Sequence, residues 1–204
     1  MFSATHKQIA AKVFEELKSE LDVVLDYDSL LFGSIAPDIY PSMLLMSHWK
    51  EGSIDLVHKH IDWLTANMLP DSSKSMEKFS FRLGIVIHFI SDYFCKAHNE
   101  KRYNNLLIHF VYENKLRIYF EKRLKESTNS DIIKVTNWKM ITDIKDYIEI
   151  KIKEYNSLKR SLINDFTYSL NVSTAVALSI LAICMANSNE DRSIKEFGEE
   201  LRTA

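Results

Sequence analysis

Residues 81–98 read FRLGIVIHFISDYFCKAH, and the pattern of this stretch indicates which kind of fold to expect. Apolar residues recur at the three- and four-residue spacing that is typical of the buried face of an α-helix. His88 and Asp92 interrupt the apolar run four residues apart, so a helix projects both side chains from one face. A buried carboxylate is costly without a partner, and a metal ion is one remedy. The stretch therefore predicts a core helix that also carries metal ligands.

A second pair of the same spacing follows within one short segment of chain. His109 and Glu113 are again four residues apart among apolar neighbours, and His98 lies between the two pairs. Imidazole nitrogen and carboxylate oxygen are the usual ligands of catalytic zinc. Two pairs together with His98 can surround more than one ion. The spacing therefore favours a metallohydrolase built from helices.

The composition of the chain supports a helical fold and excludes some partners. The chain has 204 residues, 46% of them hydrophobic, with only four glycines and three prolines. This scarcity of helix breakers favours long helices over a β fold. We therefore expect an all-α, multi-helix domain that spans residues 1–204, with too little chain after residue 190 for a β-sandwich. The net charge of -2 indicates no generic binder of polyanions, so we expect no stable nucleic-acid partner.

The periodicity predicts helices along most of the chain, with Thr5 as a cap of the first. They cover residues 5–25, 27–33, 53–68, 73–96, 105–126, 144–159, 161–186 and 191–201. A loop is expected at 36–47, because Pro37 and Pro41 bracket it, with a break at 99–103 and a connection at 132–143. The apolar run 170–186 is short for a membrane span and contains polar residues, so we expect a buried central helix.

Cysteine usage and the first residues give weaker indications. Cys95 and Cys184 match no C-x-x-C motif, and we expect two buried thiols. No signal peptide is visible, which favours a cytoplasmic location, with secretion as the alternative if a leader has been removed.

Three further residues are candidates only through their sequence context. His6 stands in Thr-His-Lys-Gln-Ile-Ala, Asp38 in Ala-Pro-Asp, and His48 in His-Trp-Lys-Glu-Gly. Taken singly, each also fits a structural or a solvent-exposed role. His58 and His60 compete with His48 as ligands, but they lie two residues apart on a predicted helix and are expected at the surface.

Together these motifs resemble the bacterial zinc-dependent phospholipase C family, which is related in fold to the single-strand-specific zinc nucleases. The motifs span residues 5–113 in the family's order. The resemblance implies an all-helical domain and three sets of ligands. The sets are Asp38, His48, His88 and Asp92 for one zinc, His98, His109 and Glu113 for a second, and His6 with a bridging Asp92 for a third.

The sequence departs from the family pattern at its beginning. In the family, the third zinc is also bound by the amino group and carbonyl of an N-terminal Trp. This chain begins Met-Phe-Ser-Ala-Thr-His and has no such Trp. The free amine of Met1 is the alternative ligand. The sequence therefore predicts two zinc ions and leaves a third open.

The resemblance implies hydrolysis of a phosphatidylcholine-like lipid to diacylglycerol and a phosphorylated head group, with Asp38 as ligand, general base or both. The partner would be a phospholipid or another phosphodiester, reached by transient contact with a membrane surface. Tyr40, Trp49, Phe89, Tyr93 and Tyr112 are candidates for a lipid or choline pocket, and all five also fit ordinary core positions. Two alternatives stay open: a nuclease or nucleotidase of the same fold, and a zinc-binding protein with little or no catalysis.

Overall fold

The computed structural model describes residues 1–21, 23–44, 47–126, 141–159 and 161–203, and these contain helices and no strand. The all-α prediction is therefore confirmed. The α-helices in chain order are α1 Ser3–Glu20, α2 Tyr27–Gly33, α3 Ala36–Ile39, α4 Pro41–Leu44, α5 Lys50–Thr65, α6 Ser73–Tyr93, α7 Leu106–Glu126, α8 Ile144–Ser157 and α9 Leu162–Thr203. Short 3-10 helices at Lys96–His98 and Lys101–Asn104 join α6 to α7.

Helix α6 lies at the centre of the fold. Ser72 caps it by accepting a hydrogen bond from the backbone N–H of Ser75, which satisfies one of the free donors of the first turn. Its second half is buried from Leu83 to Tyr93, and it packs against α2, α5 and α9. The helix that the opening stretch of sequence predicts is thus the core of the molecule.

The close packing of α2 on α6 depends on a glycine. A Cβ atom added at Gly84 would lie 2.3 Å from the carbonyl oxygen of Leu30. Only glycine therefore lets the two backbones approach so closely. This contact fixes α2, and with it the turn that leads into α3 and Asp38.

Helix α9 contains the apolar segment and is longer than expected. Residues 162–203 form one continuous helix, where the sequence predicted two helices at 161–186 and 191–201. Leu162–Ser188 is long and apolar enough to cross a membrane by length and composition, but 72% of the apolar window is buried within the fold. Residues such as Leu170, Leu178 and Leu181 are fully buried. The prediction of a buried central helix is confirmed.

Several predicted boundaries are wrong for identifiable reasons. Helix α1 ends at Glu20 rather than at residue 25, and its N-cap is Phe2, without a side-chain hydrogen bond, so Thr5 is a buried helical residue and not the cap. The predicted loop 36–47 contains α3 and α4, because proline is compatible with a first helical turn, where no N–H donor is needed. Most of the predicted connection 132–143 falls outside the described residues.

Candidate metal centre

Helix α6 supplies the two innermost residues of the site. His88 and Asp92 are fully buried, and His88 Nε2 lies 3.5 Å from Asp92 Oδ2. Burial lowers the pKa of His88 well below its usual range. Burial would raise the pKa of Asp92, but His98, the Met1 ammonium and His6 together hold that pKa well below its usual range. Asp92 is therefore a buried anion in a ring of nitrogen atoms.

A first group of candidate ligands forms on the Oδ2 side of Asp92. His48 Nδ1 lies 2.8 Å from Asp92 Oδ2 and 3.3 Å from His88 Nε2. Asp38 Oδ1, on α3, lies 3.9 Å from His88 Nε2. The Nδ1–H of His88 donates to the carbonyl of Ser34 at 2.9 Å, which leaves the lone pair of Nε2 facing the group. The structure thus brings together the first predicted set of ligands.

A second group forms where the turn after α6 meets the beginning of α7. His98 Nε2 and His109 Nε2 lie 3.1 and 2.8 Å from Glu113 Oε1. His109 Nδ1 donates to the carbonyl of Tyr103 at 3.3 Å, so its Nε2 also faces inward. His98 Nε2 is 3.3 Å from Asp92 Oδ1, which connects this group to the first. The second predicted set is therefore adjacent to the first.

The contacts of His6 show whether a cation fits between the buried ligand atoms of the cluster. Ser91 Oγ donates to the carbonyl of His88, so it accepts a hydrogen bond from the Nδ1–H of His6 at 3.0 Å. The Nε2 of His6 is buried without a hydrogen-bond partner and lies 3.4 Å from Asp92 Oδ1. Two acceptor atoms that face each other in a buried site call for a cation between them. The donor set is therefore suited to a metal.

The amino group of Met1 lies inside the same cluster. Its nitrogen is 2.6 Å from Asp92 Oδ1, 2.8 Å from His98 Nε2 and 3.1 Å from Glu113 Oε1. Burial would lower the pKa of this amine, but Asp92 and Glu113 raise it to about 12. In the metal-free protein the ammonium thus serves as the cation of the cluster. The alternative amine that the sequence left open does lie at the site.

Two groups near the second set were not predicted from the sequence. The thiol of Cys95 lies within 4.8 Å of ligand atoms of His98 and Glu113, although burial raises its pKa well above the usual range. Asp165, on α9, accepts hydrogen bonds from Tyr112 Oη at 2.6 Å, Tyr155 Oη at 2.8 Å and the backbone N–H of Lys96 at 3.0 Å. In the sequence, Asp165 is a single acidic residue within the apolar first turns of α9. That isolated acid is the signal by which it could have been found.

His58 and His60 do not join the cluster. His60 is buried rather than at the surface, because α5 packs against α6, and its Nδ1 lies 3.4 Å from Arg82. Burial and the charge of Arg82 lower the pKa of His60 to about 4. His58 is half-buried. The preference for His48 over these two agrees with the geometry.

A cavity of about 350 Å³ opens onto the ligand residues. It is lined by Met1, Asp38, His48, Trp49, His98, His109 and Glu113. Of the five candidate aromatic residues, only Trp49 lines this cavity. Phe89 and Tyr93 are buried in the core, Tyr112 binds Asp165, and Tyr40 packs near Phe32 and Phe81 at the surface.

An all-helical fold with nitrogen and carboxylate ligands around one cavity defines a class of helical metalloproteins. The model of a family described as zinc dependent phospholipase C matches residues 5–162. The chain belongs to this family, and the resemblance noted in the sequence is confirmed. No curated protein and no solved structure matches the chain significantly.

Proposed function

We propose that this protein is a zinc-dependent phosphodiesterase that hydrolyses phosphatidylcholine-like lipids to diacylglycerol and a phosphorylated head group. Water adds to phosphorus, and the bond from phosphorus to the glycerol oxygen breaks, so that this oxygen leaves with a proton. The observation that carries the proposal is the convergence of both predicted ligand groups on one cavity, joined by the two oxygens of Asp92.

The proposed assignment of residues to ions follows the ligand sets of the family, and the short distances within each set support it. Asp38, His48, His88 and Asp92 would hold one zinc, and His98, His109 and Glu113 a second. His6, Asp92 Oδ1 and the Met1 amine, once deprotonated, would hold a third. Zinc held by these residues would supply Lewis-acid stabilisation of charge on the phosphate and would lower the pKa of a water molecule toward neutrality.

Asp38 is the proposed proton acceptor. Its side chain is 18% exposed, lines the cavity and reaches the water-accessible side of the cluster. The hydroxyl of Ser3 donates to Asp38 Oδ2 at 2.8 Å and so holds the orientation of the carboxylate. A carboxylate in this position can take the proton of the attacking water as the bond to phosphorus forms.

Trp49 is the proposed contact for the head group. It lines the same cavity beside His48, and its ring offers the π face that attracts a quaternary ammonium. Such a contact would favour choline over an uncharged head group.

The first experiment measures phosphocholine release from short-chain phosphatidylcholine by zinc-loaded protein and by chelated protein. We expect release that requires zinc. Activity that survives exhaustive zinc removal would contradict the metallohydrolase proposal. Stable zinc without release would instead favour another phosphodiester substrate or a zinc-binding protein without catalysis.

The second experiment tests Asp38. Asp38→Asn is expected to lower kcat by about a hundred-fold or more, because the amide cannot accept the proton. The second ligand group should keep its zinc. Asp55→Asn, at an exposed position on α5, is the matched control and should leave the rate unchanged. A fully active Asp38→Asn variant would remove Asp38 from the mechanism.

A further inference from the structure

The beginning of α7 exposes an unusual amount of apolar surface. Leu106 is 85% exposed and Leu107 is 72% exposed. Ile108, Phe110 and Val111 are also exposed, and together these five residues form what we call the apolar tip. The remaining residue of the segment, His109, turns inward to the cavity. Five exposed apolar side chains in six positions need an explanation beyond chance.

The distribution of these side chains around the helix indicates the kind of partner. With 3.6 residues per turn, positions 106, 107, 108, 110 and 111 spread over about 200° of the helix circumference. A helix that docks into a protein groove carries one narrow apolar stripe instead. Further along α7 the exposed positions include Lys115, Lys122 and Lys125. One large apolar side chain, Ile118, is also exposed in that part of α7, so the apolar surface is concentrated at the tip. There it faces several directions, as insertion into an apolar medium requires.

The apolar tip borders the proposed catalytic cavity. His109 lies within the tip segment and lines the cavity, and the ring of Phe110 packs edge-on against Phe2 at 5.2 Å. Next to Asp38, another cavity residue, Ile39 is 46% exposed and Tyr40 is 40% exposed. Apolar side chains thus follow directly on cavity residues from two separate parts of the chain.

We propose that the apolar tip inserts into the interface of a phospholipid bilayer and so brings the cavity to the depth of the lipid phosphates. This inference rests on the proposed function. It names the surface through which the protein would reach its lipid substrate. The net charge of -2 offers no general attraction to anionic lipids, so the binding depends on apolar insertion and suits a zwitterionic surface. His109 and Glu113, on the same helix, would then face the head-group layer.

The test compares three zinc-loaded proteins: the wild type, Leu106→Ser/Leu107→Ser, and the control Val24→Ser/Ile118→Ser. Val24 is 83% exposed and Ile118 50% exposed, and both lie outside the tip. Binding is measured by sedimentation with vesicles of a phosphatidylcholine analogue whose scissile oxygen is replaced by carbon, so that no hydrolysis occurs. Hydrolysis is measured separately on dissolved short-chain phosphatidylcholine and on phosphatidylcholine vesicles.

We expect the tip variant to lose vesicle binding by about ten-fold for each leucine, since each buries its side chain on insertion. Its rate of hydrolysis on vesicles should fall by the same factor as its vesicle binding. Its rate on dissolved substrate and its melting temperature should match those of the control. If none of the three proteins hydrolyses dissolved lipid but only the tip variant loses vesicle binding, the tip proposal holds and the proposed function fails.

Other outcomes would overturn the proposal. A wild-type protein that does not sediment with the vesicles excludes the lipid surface as partner, as does a tip variant that sediments equally well. If size-exclusion chromatography shows that the wild type is an oligomer and the tip variant a monomer, with no vesicle binding by either, the tip binds a second copy of the chain.

Discussion

Replacing Asp165 by Ala should weaken the second ligand group from a distance. The carboxylate accepts hydrogen bonds from Tyr112, which precedes Glu113, and from the backbone of Lys96, which begins the turn that carries His98. It also binds Tyr155 of α8. Asp165 therefore holds together the two segments that supply the second group of ligands, without contacting the cavity itself.

The magnitude follows from the donors that lose their acceptor. Asp165 and Tyr155 are almost completely buried, whereas Tyr112 is half-buried and can turn toward water. A buried donor that loses its partner costs about 1–3 kcal/mol. For three donors, one of them relieved by water, we expect the free energy of unfolding to fall by about 4 kcal/mol. Zinc affinity of the second group should fall by about ten- to a hundred-fold.

Urea unfolding and competition with a chromophoric chelator measure these two effects. Asp165→Asn serves as the graded comparison, because its amide can keep one acceptor toward Tyr112 and Lys96 while its NH2 donates to the hydroxyl oxygen of Tyr155. We therefore expect a smaller loss, about 1–2 kcal/mol. A change of less than about 1 kcal/mol in the stability of Asp165→Ala, or an equal loss of zinc affinity at both groups, would contradict this role of Asp165.

Two further predictions concern the metal-free cluster and the first residue. The depressed pKa values of Asp92 and Glu113 stabilise the fold above their unfolded values of 3.8 and 4.5, so this part of the stability of chelated protein should be lost as the pH falls below about 4.5. It adds to an earlier decline that begins below 6.5, where the unfolded chain protonates His88, whose pKa is lowered by burial in the fold. Urea titrations from pH 7 to 3 measure this, and the decline should be shallower in Glu113→Gln; a flat profile would contradict it. A short peptide added before Met1 replaces the amine by an amide and should reduce the zinc content found by native mass spectrometry. The same peptide added after Ala204 is the control, and equal zinc in the two proteins would exclude the amine as a ligand.

The helical pairs were predictable because helix geometry alone relates His88 to Asp92 and His109 to Glu113. The approach of His6, Asp38 and His48 to those pairs depends on long-range packing, and only the resemblance to a family connected them in the sequence. The prediction that the Met1 amine lies at the site had the least support from the sequence, because no residue spacing relates a terminal amine to the other ligands.

The errors also have physical causes. Threonine is a common N-cap residue, which is why Thr5 was predicted to cap α1. Phe2 has the extended backbone of the N-cap instead, and α1 begins at Ser3. The polar residues after Ala186 suggested a break, yet no glycine or proline interrupts residues 162–197, and α9 continues through the polar segment. Asp165 was missed in the sequence, because only packing brings its three donors, Lys96, Tyr112 and Tyr155, to its side chain.

Asp92 has a consequence for how this site can change during evolution. Its Oδ2 faces His48 and its Oδ1 faces the Met1 amine, so within the described part of the chain one side chain serves both halves of the cluster. A substitution at this position alters both halves at once and cannot improve one without disturbing the other. Adaptation to new substrates is therefore expected to proceed through residues that touch a single half, such as Trp49 beside His48, while position 92 stays constant.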